Sequence, residues 1–194
     1  MKMVTRSVCF SFALLACLPA VAAALGPDTQ SDPAGQAIAD ALREAAGSDV
    51  AVVPAGVLKA QTEANDLATA LQYPTMDIAV VTMSGAQLKD ALERSVSLFP
   101  SPNTGFLQLS GITATFSKSA AVGSRVATIS ISGAFDRAKN YTVAMPGSLA
   151  RGGMGYFKVW DRTQISKTLQ GVTMESLVKG KSKLAKEPRW TEVP

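Results

Sequence analysis

The sequence has no histidine among its 194 residues. Without imidazole, a chain cannot assemble a Ser-His-Asp or Cys-His catalytic set, nor a zinc or iron centre held by histidine. Cysteine is almost as scarce. The two present, Cys9 and Cys17, both lie in the first two dozen residues. Once that segment is removed, no disulfide, cysteine nucleophile or thiolate-bound metal is available. A charge excess is lacking too: 19 basic residues stand against 15 acidic ones, and 17 against 15 without Lys2 and Arg6. That balance is too even to argue for a nucleic-acid partner. Carboxylates, Lys, Arg, Tyr, Ser and Thr remain for chemistry.

What is present begins with a leader. Lys2 and Arg6 form a short positive region, residues 8–21 are almost wholly apolar, and Ala20-Val21-Ala22 and Ala22-Ala23-Ala24 offer small-x-small cleavage sites. Residues 1–24 therefore read as a secretory signal peptide, too short for a spanning helix. The mature chain is expected to be exported, periplasmic or secreted, with no transmembrane helix. Leu14-Leu15-Ala16-Cys17 offers lipidation at Cys17 as an alternative, but the residues after it stay apolar where a lipoprotein turns polar.

Residues 25–35 are polar and read as a linker. An amphipathic helix follows over 34–46, with Ile38, Ala41, Leu42 and Ala45 on one stripe and Gly47 as its stop. Asp49-Val50-Ala51-Val52-Val53 suits a strand buried on both faces. A short helix is expected over 65–71 and a strand over 77–83. Ser84-Gly85-Ala86-Gln87 is a capping box opening a helix with Leu88, Ala91, Leu92, Val96 and Phe99 at helical spacing. After Gly105 the period changes to two, over residues 106–109, 112–116 and 126–131. A strand over 141–145 follows, with a further short strand over 158–160 and a terminal helix over 172–178. The pattern predicts an α+β single domain over residues 36–178, with helix-strand units followed by a mixed, largely antiparallel sheet. Residues 179–194 form a basic tail, Lys179-Gly180-Lys181-Ser182-Lys183-Leu184-Ala185-Lys186 at its head. It reads either as a solvated end or as a contact for an anionic partner.

The strand over 141–145 runs into Ser148-Leu149-Ala150-Arg151-Gly152-Gly153-Met154-Gly155-Tyr156-Phe157, with three glycines in four positions. Such a stretch is either a tight turn beside core aromatics or a loop that lets a ligand approach the backbone.

Five stretches, taken in order, resemble the C-terminal domain of the 5′-nucleotidase family. They are the opening helix and strand, Met83-Ser84-Gly85-Ala86-Gln87-Leu88-Lys89, Gly105-Phe106-Leu107-Gln108-Leu109-Ser110-Gly111, Tyr141-Thr142-Val143-Ala144 and Gly152-Gly153-Met154-Gly155-Tyr156. The resemblance runs from about residue 36 to about residue 160. It implies the fold of that domain and a role in nucleotide catabolism. In that family an N-terminal domain holds two metal ions and hydrolyses the phosphate ester, and the C-terminal domain supplies the nucleotide pocket. Here a linker alone separates the leader from the first helix, and the lack of histidine agrees with a stand-alone C-terminal domain that has neither cofactor nor metal centre.

The resemblance also carries pocket positions onto this chain. Phe106 matches one of two rings that stack a base; the second falls at Gly147-Ser148, where no ring stands. Stacking is worth roughly 1–3 kcal/mol per base, so half a sandwich weakens the pocket. Lys59 replaces an arginine and lacks its bidentate fork. Met76 replaces an asparagine, and Met154 an aspartate acceptor that a thioether cannot imitate. Arg151, Gly152 and Gly153 complete the loop, and Arg151 either meets an anion or faces solvent. Phe106 is either the surviving ring or a core residue, and Met76 and Met154 either fill space or line an apolar pocket.

Two functions follow. One is a ligand-binding module for a nucleotide, a nucleoside or another flat small molecule, not catalytic by itself. The other is an interaction module pairing with a separate metallophosphatase chain or another exported protein. A hydrolase built on Asp77, Asp136 and Asp161 is disfavoured, since these carboxylates form no paired constellation in the sequence.

Overall fold

The computed structural model describes residues 26–59 and 65–194. The expected leader, with Cys9 and Cys17, lies outside the described residues.

Helix α1 (Pro33–Ala46) starts where its residues dictate. The Asp32 carboxylate accepts the Gly35 amide at 2.6 Å, Pro33 takes the first turn, and Gly47 ends the helix in the left-handed region. Strands β1 (Val50–Pro54) and β2 (Asp77–Ser84) follow, joined through 3₁₀ turns at Ala55–Val57 and Leu67–Ala70. The helix expected over 65–71 is only that second turn. Asp66 caps it, and Leu71 is already extended. Helix α2 (Gly85–Ser95) opens with the reciprocal Ser84–Gln87 capping box that the sequence announces.

Strands β3 (Leu107–Ser110), β4 (Ile112–Ser117), β5 (Val126–Ile131) and β6 (Asn140–Pro146) come next, then the single-turn helix α3 (Gly147–Ala150), β7 (Ile165–Thr173), α4 (Met174–Val178) and β8 (Trp190–Val193). They form two mixed sheets. The first has the order β3-β1-β6-β2-β7, antiparallel except for β1 beside β6. The second has the order β5-β4-β8, with β8 parallel to β4.

The larger sheet is covered on both faces. Ala51, Val53, Ile78, Val80 and Ala144 point toward α1 and α4. Val50, Val52, Ala79, Val81, Val143 and Met145 point toward α2 and the smaller sheet. This is why β1 reads as an unbroken apolar run rather than an alternation. Each Leu, Ile or Val sealed in these layers contributes roughly 1.5–3 kcal/mol.

Three further stretches depart from expectation, each for a physical reason. Residues 158–160 are not a strand; the 3₁₀ turn Gly153–Lys158 delivers Trp160 into the core, where its Nε1 donates to the Leu149 carbonyl at 3.0 Å. The polar lead is held by Gln108, which is buried in β3. A buried amide needs partners, and its Nε2 donates to the carbonyls of Pro27 and Gln30 at 2.8 and 2.7 Å while its Oε1 accepts the Asp32 amide at 2.8 Å. Residues 27–32 are thus packed against the domain. The tail does not simply trail off either. It ends in β8, where Trp190 enters the core and Arg189 pairs with Asp40 at 2.7 Å.

Candidate functional site

Three loops meet at one end of the larger sheet. The first is the turn Ala55–Val57 after β1. The second is the stretch 103–106 before β3, and the third is the glycine stretch after β6. Backbone bonds join the first two: the Ala55 amide donates to the Phe106 carbonyl at 2.8 Å, and the Gly56 amide donates to the Thr104 carbonyl at 2.7 Å. Tyr156 joins the third, its hydroxyl donating to the Gly105 carbonyl at 2.7 Å. Its phenol is fully buried, and desolvation pushes its pKa up, so it stays a neutral donor.

The expected site residues fall unevenly around this junction. Phe106 is buried to 1% exposure. Its ring lies against Trp190 at 5.6 Å and offers no open face. Of the two readings of Phe106, the geometry matches the core residue. Met154 sits in the left-handed region at φ 56° between Gly152 and Gly155, also left-handed. Its methyl group lies 3.2 Å from where a Cβ on Gly56 would sit, as does Thr104. Met154 therefore fills the gap between the first and third loops and packs on both core clusters. Its carbonyl accepts from Arg94 at 3.2 Å.

Met76 and Ser148 meet each other, the Ser148 hydroxyl lying 3.2 Å from the Met76 sulfur. Arg151 is exposed and grips Asp77 with both guanidinium arms, at 3.0 and 3.2 Å. Its hydrogen bonds hold the Asp77 carboxyl below the usual carboxylate range. A Cβ at Gly147 would need Asp77 to move, and Ser148, paired with Gly147 where the resemblance expects a second ring, carries only a hydroxyl turned to Met76. Gly152 is buried, with a Cβ position 2.9 Å from Phe157, and Gly153 is half-buried. Lys59 is exposed, and its backbone amide donates to the Ala70 carbonyl at 2.9 Å.

A concavity lies beside the first two loops. A cleft of about 300 Å³ is lined by Asp28, Gly56, Leu58, Gln72, Tyr73 and Thr104, among others. Tyr73, 52% exposed, is its open aromatic face. Tyr73 does not stand out in the sequence, and Asp28 falls within the expected linker. The signal available is an aromatic residue beside proline in a polar loop. Among the described residues, no three His, Cys, Asp or Glu side chains come together as a metal site.

The family model described as 5′-nucleotidase, C-terminal domain, matches residues 20–162. Among solved structures, the 5′-nucleotidase precursor of Thermus thermophilus is similar over 86% of this chain and 36% of its own, with 21% identity and a TM-score of 0.71. A Staphylococcus aureus chain described as a 5′-nucleotidase is similar over 85% and 37%, with 20% identity and a TM-score of 0.69. The NAD nucleotidase of Haemophilus influenzae is similar over 85% and 34%, with 18% identity and a TM-score of 0.64. The chain spans about a third of the length of each. No curated protein matches its sequence.

Proposed function

The chain belongs to the 5′-nucleotidase C-terminal domain family, and from that premise we propose that it is an exported ligand-binding module, not catalytic by itself. Its ligand is a nucleoside, a nucleotide or another flat small molecule. The observation that carries this reading is the cleft between the first two loops and the lead at Asp28, with the exposed ring of Tyr73 on its wall. A flat ring can stack on Tyr73, and the polar groups of Asp28, Gln72 and Thr104 surround the same space. One ring rather than two gives weak binding: a single stacked base contributes roughly 1–3 kcal/mol. With Phe106 buried and no ring at Gly147 or Ser148, the ligand lies on the cleft rather than deep between two rings. Non-catalytic behaviour is supported by composition, since a two-metal phosphatase site of the histidine-containing kind cannot be drawn from a stretch without histidine. Export is supported by the apolar leader with its small-x-small sites.

The test is isothermal titration with adenosine, AMP and UDP-glucose, using Tyr73→Ala as the control. Binding in the high-micromolar range that falls tenfold in Tyr73→Ala is expected. No heat at millimolar ligand overturns the reading.

A second reading rests on a different observation. Phe157, at the end of the glycine stretch, is 65% exposed. A large ring left open there suits a protein partner, such as a separately encoded metallophosphatase chain. Co-purification with that chain, lost in Phe157→Ser, would support it over the ligand reading.

A further inference from the structure

The lysine-rich segment between α4 and β8 is not needed by the ligand reading, and it is not free. The Lys181 carbonyl accepts the Leu67 amide at 2.7 Å, and the Ala185 amide donates to the Pro33 carbonyl at 3.1 Å. Beyond it, the Arg189 guanidinium holds Asp40, and Trp190 anchors β8. The segment is a strap tied at both ends and in the middle. Lys179, Lys181, Lys183 and Lys186 are all exposed on it. Lys179 approaches Glu175 at 3.8 Å; among the described residues, no carboxylate pairs with the other three. Leu184, set between Lys183 and Lys186, is 38% exposed.

We propose that this strap is a docking surface for a bilayer carrying anionic phospholipids. The argument is chemical. Compact ammonium groups act as point charges and need no particular geometry, which suits a fluid layer of headgroups. An exposed leucine among them can enter the interfacial region, as the apolar residues of peripheral membrane segments do. A nucleic-acid surface would instead favour guanidinium forks and stacking rings, and residues 179–188 contain neither arginine nor an aromatic residue. Holding the lysines on a tied strap removes part of the ordering cost that a loose polybasic tail pays on binding.

The test is vesicle co-sedimentation of the full chain at 50 mM and 500 mM salt. Phosphatidylcholine vesicles are compared with vesicles containing 30% phosphatidylglycerol. Lys181→Gln/Lys183→Gln/Lys186→Gln is compared with the parent in the same background, so that any contribution of the leader cancels. Each lysine near an anionic surface is worth about fivefold in partitioning, so the triple variant should bind on the order of a hundredfold more weakly. High salt should abolish the difference, and Leu184→Ser should cost a few-fold while leaving the salt dependence intact. These side chains are exposed, so the variants should melt as the parent does. Equal binding to both vesicle types overturns the proposal, as does a triple variant that binds like the parent. Retention on heparin or duplex DNA with no retention on the anionic vesicles also overturns it, and assigns the strap to a polyanion.

Discussion

The indole of Trp190 lies against the ring of Phe106, centroids 5.6 Å apart and planes inclined at 46°, and donates its Nε1 hydrogen to the Leu107 carbonyl at 2.7 Å. A residue of the last strand thus covers a ring at the start of β3 and satisfies its backbone. Trp190→Ala removes a 5%-exposed side chain and leaves that carbonyl without its partner. The expected loss is about 3–5 kcal/mol, read as a lower urea midpoint. A midpoint within error of the parent would mean that β8 does not hold the core.

Phe106 itself is expected to matter for stability and not for ligand contact. Phe106→Ala should cost about 3–5 kcal/mol. Phe106→Leu keeps most of the buried volume and should leave adenosine binding by the folded protein unchanged. Titration of the Leu variant checks this. A tenfold loss of affinity with an unchanged melting temperature would return Phe106 to the ligand site.

Arg151 and Asp77 set a pH dependence whose sign is fixed. The folded-state pKa of Asp77 is lowered, first by hydrogen bonds from Arg151, from an ordinary value of 3.8. The pair's contribution is therefore present above about that value and is lost as pH falls through the lower folded-state pKa. Both side chains are well exposed, at 53% and 43%, so solvent screening keeps the contribution below about 1 kcal/mol. Asp77→Asn should be slightly less stable than the parent at pH 7 and indistinguishable from it near pH 2. Urea midpoints at the two pH values test this. A gap that widens in acid would contradict the assigned direction.

Much of this fold is legible because its signals are local. The Ser84–Gln87 box, the Gly47 stop and the continuous apolar run of β1 all depend on neighbours within a turn or a strand. What is illegible depends on distant partners. Strand β7 is mostly exposed and polar, and it exists because β2 offers an edge, with register shifts on the way. Strand β8 needs β4 and the space beside Phe106. Phe106 and Met154 do sit on loops that converge. Whether a side chain faces the cleft or the core turns on packing across those loops, and no spacing rule carries that. Phe106 faces inward and Tyr73 outward, although both stand beside a turn.

Met154 gives the sharpest test of the junction. Its φ of 56° is a conformation that glycine adopts freely and a side chain with Cβ does not. A non-glycine residue held there costs roughly 1 kcal/mol or more. The cost is offset by the thioether, which packs on both core clusters from a half-buried position. Met154→Ala loses the packing and keeps the strain. Met154→Gly loses the packing and relieves the strain. In an ordinary helix or strand alanine is the more stable of the two, by up to about 1 kcal/mol. Here the order should invert, with the glycine variant more stable than the alanine variant by roughly 1 kcal/mol and close to the parent. Met154→Gly also clears the space above Gly56 and Thr104, which borders the cleft. Adenosine should therefore bind the glycine variant more tightly than the parent. Urea midpoints of the three proteins, with titrations on the same samples, decide both points. An alanine variant as stable as the glycine one would mean that position 154 does not hold the left-handed backbone. The expected order of midpoints without tighter binding would mean that the methionine fills core space and does not narrow the cleft.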